Sequence, residues 1–180
     1  IALGGPLPHV MAAKAIAFQE ANQPDFKTYA QNIVNNAQVL AERFISKGVR
    51  LVTGGTENHL MIVDITQFGL TGRHAETALR SALITTSRNA IPFDVQGPWY
   101  TSGIRLGTPA LTTLGMGKVE MEEIADIIIS ILSHTKPATV EKTGQPSKAN
   151  CVVDPVVLEE AQARVTNLLK QFPLYPEIEL

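Results

Sequence analysis

The chain has 180 residues, 44% of them hydrophobic and 18% charged, with a formal net charge of −2. That length and apolar share suit one globular domain with a real core, and the slight negative charge excludes the basic stripe of a nucleic-acid binder. No apolar run of about 18 residues suggests a membrane span, and the single cysteine, Cys151, forbids an internal disulfide and points to a reducing cytoplasm.

The opening, Ile1-Ala2-Leu3-Gly4-Gly5-Pro6, has neither an initiator Met nor a basic signal region and reads as mid-chain sequence. Residues 8–20 predict an alanine-rich helix. Its small residues Ala12, Ala13, Ala15 and Ala17 suit close packing, either buried or at a subunit contact. Glycines just ahead of a helix leave backbone N–H groups free for an anion, although Gly4 and Gly5 also suit an ordinary flexible connection. His9 reads as a packed or capping residue.

A second helix is expected over 24–47, with Phe26, Tyr29, Ile33, Ala37, Leu40 and Phe44 on one stripe and Gly48 in the left-handed position that ends it. A short strand at 50–52, a Gly54-Gly55 turn and a strand at 59–65 follow. The run Leu60-Met61-Ile62-Val63 suits a strand covered on both faces. Glu57, His59 and Asp64 match no metal-ligand spacing and read as structural. Thr71-Gly72 opens a helix to about residue 82, followed by a strand at 83–86 and a loop at 87–100 that carries the only tryptophan, Trp99. Structureless loops of that length are often functional, although Trp99 also suits a plug in the core.

Thr101-Ser102-Gly103-Ile104-Arg105-Leu106-Gly107-Thr108-Pro109-Ala110 comes next, and it alternates as a strand. Ile104 and Leu106 face a core, while Gly103, Arg105 and Gly107 face the other way. Two glycines flanking one guanidinium leave room for a ligand or for another backbone. A planar guanidinium suits a carboxylate because it donates two parallel charge-assisted hydrogen bonds. A surface arginine on an edge strand is the plain alternative. Thr108-Pro109 reads as a helix start.

A helix at 118–133 buries Met121, Ile124, Ile127, Ile128 and Ile131. Residues 136–153 read as an exposed linker, with no role for Cys151. Asp154-Pro155 then caps a last helix through residue 171, with Leu158, Ala161, Val165, Leu168 and Phe172 inward. The expected class is α+β, a small and mainly antiparallel sheet layered with helices. Its divisions are 1–23 as a connecting helix, 24–135 as the α+β domain, 136–153 as linker and 154–180 as C-terminal helix and tail.

Four stretches together resemble the C-terminal portion of serine hydroxymethyltransferase: Gly4-Gly5-Pro6-Leu7-Pro8-His9, Gly54-Gly55-Thr56-Glu57-Asn58-His59-Leu60, Arg88-Asn89-Ala90-Ile91-Pro92 and residues 101–110. They stand in the family's order and spacing across roughly residues 1–135. The resemblance implies the C-terminal domain of an aspartate-aminotransferase-like, fold type I pyridoxal-phosphate enzyme, working in the cytoplasm as a homodimer or tetramer. Such an enzyme interconverts serine and tetrahydrofolate with glycine and 5,10-methylenetetrahydrofolate. It further implies that Arg105 holds the substrate carboxylate and that Gly4 and Gly5 meet the cofactor phosphate of the neighbouring subunit. Asn89 lies near the folate pterin, and Gly97, Pro98 and Trp99 fall where the family has a folate-contacting Ser-Pro-Phe. No segment matches the family's lysine-bearing cofactor attachment, its pyridine aspartate, its stacking histidine or its acid/base glutamate. The segment is therefore expected to hold no catalytic residue or metal site and to be inactive alone. Two readings compete: a stand-alone regulatory module that binds an amino acid through Arg105, and a structural dimerisation piece.

Overall fold

In the computed structural model, which describes residues 4, 5 and 7–176, the helices are α1 (Pro8–Ala21), α2 (Pro24–Ser46), α3 (Gly72–Ser81), α4 (Pro109–Thr113), α5 (Lys118–Ser133) and α6 (Pro155–Gln171). The strands are β1 (Leu60–Asp64), β2 (Ser87–Asn89), β3 (Gly103–Gly107), β4 (Thr135–Thr139) and β5 (Pro146–Val153). Pro6 of the opening motif and residues 177–180 of the expected tail lie outside the described residues.

The arginine strand is the middle of the main sheet, not an edge. The order is β1-β3-β2, antiparallel throughout, with Arg105 opposite Ile62 on one side and Ser87 on the other. Side chains alternate across a pleated strand, so Met61, Val63, Ile104 and Leu106 all turn inward and are buried. They meet Ala37, Leu40 and Phe44 of α2, Ala75, Ala78 and Leu79 of α3, and Met121, Ile127, Ile128 and Ile131 of α5. Each fully buried large aliphatic contributes roughly 1.5–3 kcal/mol. The α+β class holds.

Two forked ion pairs tie the outer helices to α5. Arg43 of α2 donates to both oxygens of Asp126 at 3.0 and 2.6 Å, and Arg164 of α6 to both oxygens of Glu123 at 2.7 and 2.8 Å. All four side chains are partly exposed, so solvent screening keeps the contribution of each pair small. Their two-pronged geometry fixes helix register more than it adds stability.

The structure departs from the sequence reading in five places. Residues 83–86 form no strand. Leu83 takes a left-handed φ of 66°, and the amides of Leu83 and Ile84 bond back to Arg80 and Leu79. These backbone groups close α3 and so cannot pair with β3. Strand pairing starts only at Ser87, inside the stretch expected as loop. The strand expected at 50–52 is reduced to a single bridge, Leu51 to Val63. The stretch 136–153, expected as linker, contains the β4–β5 hairpin, held to α3 where the Thr71 hydroxyl donates to the Lys148 carbonyl at 3.0 Å. Thr108 does stand at the N-cap of α4, but its hydroxyl donates to the Ile33 carbonyl at 2.7 Å instead of capping. Finally, no α1 residue is buried and no side chain caps it, so His9 is exposed and neither packs nor caps.

Gly72 is where α3 and the start of β3 meet. Gly72 N–H donates to the Thr101 carbonyl and Arg73 N–H to the Tyr100 carbonyl, each at 3.0 Å. A Cβ on Gly72 would collide with the Thr101 hydroxyl and stand 2.6 Å from the Gly103 carbonyl oxygen. Because two backbone segments form this contact, no side-chain rotation relieves it. Gly72→Ala should therefore destabilise the fold by about 1–3 kcal/mol, read as a lower urea midpoint. An unchanged midpoint would mean that the two segments move apart freely.

Candidate functional site

Arg105 stands on the outer face of the sheet, exposed although it is in the central strand. Arg43, Arg50, Arg80, Arg88 and Arg164 each pair with a carboxylate, whereas among the described residues Arg105 and Arg73 have no acidic partner. A cavity of about 460 Å³ opens beside Arg105, lined by His59, Leu60, Thr85, Thr86, Ser87 and Gly107. It exists because Ser87 is the last β2 residue opposite β3, so Leu106 and Gly107 have no strand on that side. A cationic fork beside an open cavity can hold a small carboxylate.

The flanking glycines serve the fold as well as the approach. A Cβ on Gly103 would stand 2.9 Å from an Ile91 methyl and 3.0 Å from the Asn89 carbonyl. Of the two uses expected for the glycines, close approach of neighbouring chain accounts for Gly103. Gly107 is less crowded, with the His59 carbonyl 3.2 Å from the corresponding point. Gly103→Val would therefore strain the sheet and is not a clean test of ligand access.

Asn89 pairs with Gly103 as Ser87 pairs with Arg105. Strand alternation consequently puts Asn89 and Arg105 on the same face, one residue pair apart. Trp99 does not join them. Its ring lies 5.1 Å from the Arg73 guanidinium carbon and 5.2 Å from that of Arg88. Arg88 reaches α3 by pairing with Glu76 at 2.9 Å, which places this cluster on the α3 side of the sheet. Trp99 is 60% exposed and is no core plug. Gly97 and Pro98 are exposed beside it, and the Gly97 carbonyl accepts from the Tyr100 and Thr101 amides.

Gly4 and Gly5 are exposed and lie in open space at the start of α1, where Gly5 has a φ of +153°. The helix they precede has neither a side-chain cap nor an acidic residue in its first turn. Its amides thus keep their attraction for an anion. Asp64, considered with Glu57 and His59 for a metal set, instead pairs with Arg50 and accepts from the Thr66 amide and hydroxyl.

Sequence reasoning did not find Asp94. Its carboxylate accepts from the amides of Ile91, Gln96 and Ser102 and from the Ser102 hydroxyl, at 2.6 to 3.2 Å. An aspartate that bonds the amide two residues on is an ordinary turn signal, so its bond to Gln96 was legible, but the reach to Ser102 was not. Burial by itself raises the Asp94 pKa, yet the bonds from Ser102, Gln96 and Ile91 outweigh it and hold the carboxyl below its ordinary 3.8. The unfolded chain therefore takes up the proton first. The stabilisation is complete above about pH 3.8 and is lost as pH falls through the lower native value. On acidification through that range, the amides of Gln96 and Ser102 should lose protection from hydrogen exchange before the core does. In Asp94→Ala they should be unprotected already at pH 7, and retained protection there would show that the loop is held by other contacts.

Comparison with known proteins places this geometry in context. A family model described as serine hydroxymethyltransferase matches residues 2–128. The chain is 56% identical over 178 residues to the serine hydroxymethyltransferase of Salinispora tropica, covering 99% of this chain and 37% of that one. It is 53% identical over 178 residues to that of Chlamydia pneumoniae and 54% over 180 residues to that of Chlamydia abortus, in each case covering 99% of this chain and 36% of the relative. The chain thus spans a little over a third of the length of these relatives.

Proposed function

The chain belongs to the serine hydroxymethyltransferase family, and we propose that it supplies that enzyme's substrate-carboxylate clamp, Arg105, together with part of its folate site. The observation that carries the reading is an exposed arginine in mid-sheet, beside a cavity and, among the described residues, without an acidic partner. In the complete enzyme, serine and tetrahydrofolate would be interconverted with glycine and 5,10-methylenetetrahydrofolate. Arg105 would donate two parallel hydrogen bonds to the amino-acid carboxylate and so fix the direction of the bond to be broken. Positioning of this kind is a large rate contribution, and an error of about 1 Å can cost roughly a hundredfold.

Pyridoxal phosphate, when bound, supplies the electron sink for cleavage beside the amino group. From this chain, Gly4 and Gly5 fit its phosphate: the backbone is open there, and the amides ahead of α1 meet no acid. The groups that would move protons have no counterpart among these residues, so the segment alone is inactive in this reading. Asn89, on the face of Arg105, would meet the pterin, and Gly97, Pro98 and Trp99, with Trp99 on the α3 side of the sheet, would meet a different part of the folate. The exposed apolar side chains Met11, Ile16 and Phe18 of α1 favour assembly with the rest of the protein and with a second subunit, as a dimer or tetramer.

The test uses the full-length holoenzyme. Charge-assisted hydrogen bonds are worth about 1.5–3 kcal/mol each, so Arg105→Ala should lower kcat/KM roughly a hundredfold to ten-thousandfold. Arg105→Lys should fail nearly as badly, because one ammonium cannot reproduce the fork. Near-normal serine binding in folded Arg105→Ala would rule the clamp out. Trp99→Ala should weaken tetrahydrofolate more than glycine, and equal losses for both would reduce Trp99 to a packing role.

A further inference from the structure

The first turn of α3 contains a buried ionisable group that the Arg105 clamp does not use. His74 is 2% exposed and belongs to a reciprocal cap. Its N–H donates to the Thr71 hydroxyl oxygen at 3.2 Å, and Thr71 N–H donates back to Nδ1 of the imidazole at 3.1 Å. The third helical position of such a cap is ordinarily glutamate or glutamine, whose oxygen accepts at neutral pH and in mild acid alike. An imidazole nitrogen accepts only while it is unprotonated. Nδ1 is therefore bare, and the one ring proton sits on Nε2, which has no hydrogen-bond partner among the described residues. A second proton would set a donor on Nδ1 against the Thr71 N–H donor, and half of the cap would be lost.

The surroundings do not offset a second ring charge. α3 packs against α5, β2, β3, β4 and β5. From β5 come the exposed Lys148 and Cys151, whose thiol donates to the His74 carbonyl at 3.5 Å and is kept neutral by burial. β4 brings the exposed Lys136. Arg88 of β2 is paired with Glu76 of α3 itself, and Arg105 of β3 stands on the outer face of the sheet. On α5, Glu123 and Asp126 are held by arginines, Glu120 accepts from Gly117 N–H, and Lys118 and Glu122 are exposed. Among the described residues no ion pair includes His74. Burial pushes its pKa below 6.5; the Ser147 carbonyl of β5 counters this in part, and the adjacent Arg73 cation adds to it. The positive end of the helix dipole works in the same direction. The unfolded chain thus takes up the proton first. The stabilisation is complete above about pH 6.5 and is lost as pH falls toward the lower native value.

We propose that His74 is a pH-sensitive latch, whose protonation opens the cap of α3, releases the β4–β5 hairpin and loosens the chain at Tyr100 and Thr101. The hairpin follows because the Thr71 hydroxyl that caps His74 N–H also donates to the Lys148 carbonyl. The chain entering β3 follows because the amides of Gly72 and Arg73, in the same helical turn, bond the carbonyls of Thr101 and Tyr100. The latch holds whether or not Arg105 is the carboxylate clamp.

The experiment is hydrogen exchange of the full-length holoenzyme between about pH 5.5 and 7.5, with rates corrected for the intrinsic pH dependence of exchange. Toward the acid end, residues 71–75, 100–102 and 146–153 should lose protection by as much as about tenfold per pH unit, while α2 and α5 keep theirs. His74→Gln puts a non-titrating acceptor in the cap and should abolish this dependence while the segment stays protected. His134→Gln removes a different imidazole, one whose carbonyl bonds Asp154 N–H at the end of the hairpin, and should leave the dependence in place. Imidazole nitrogen resonances of the wild type give a reading that needs no variant: Nδ1 of His74 should be bare at neutral pH and gain its proton as protection falls. Protection that does not change with pH, a dependence that His74→Gln retains, or an Nδ1 already protonated at neutral pH would overturn the proposal.

Discussion

The structure depends on the absence of a side chain at Gly72. Where α3 begins, its backbone touches the chain that is turning into β3, closely enough that the amides of Gly72 and Arg73 bond the carbonyls of Thr101 and Tyr100. Thr101 accepts a positive φ of 54° to make that turn, a conformation that is costly for a β-branched residue. Ser102 then extends the join to the next strand, its carbonyl accepting from Ile65 N–H at 2.9 Å. A helix, a loop and two strands converge on this point, and both faces of the sheet take their position from it.

From that junction the two faces serve different ends. β3 enters the sheet with Ile104 and Leu106 inward, which forces Arg105 outward at the last position where β3 is still paired with β2. The truncated strand is what opens the cavity, and its cause lies upstream, in Leu83 and Ile84 being used to close α3. On the other side, the chain that bonds to α3 carries Trp99 up to Arg73 and Arg88. The loop between them is long but ordered, because one carboxylate, Asp94, satisfies three amides and a hydroxyl at once. The loop's shape is thus fixed by hydrogen bonds although it has almost no regular structure of its own.

Periodicity sufficed wherever the packing partner imposes a strong pattern. The stripes of α2 and α5 and the alternation through Arg105 are legible because burial selects residues at spacings of 3.6 and 2. Capping signals were legible at Thr71 and Asp154, whose side chains do accept helix amides. The misreadings have a common cause. At 83–86 the β-like composition lost to a helix-ending turn, and at 136–153 a polar, proline-containing stretch formed a hairpin because α3 offered it a surface. Neither outcome is encoded in the local residues alone.

By itself the sequence determined the α+β class, the core-facing residues of the main helices and the singling out of Arg105, since hydrophobic period and backbone chemistry act over a few residues. Tertiary structure alone decided that Arg105 is central and, among the described residues, lacks an acidic partner, that Gly103 is crowded by Ile91 and Asn89, and that Trp99 lies with Arg73 across the sheet from Asn89. Each of these is a relation between segments far apart in the chain. Charge pairing, close approach and sidedness come into existence only when folding sets one segment against another.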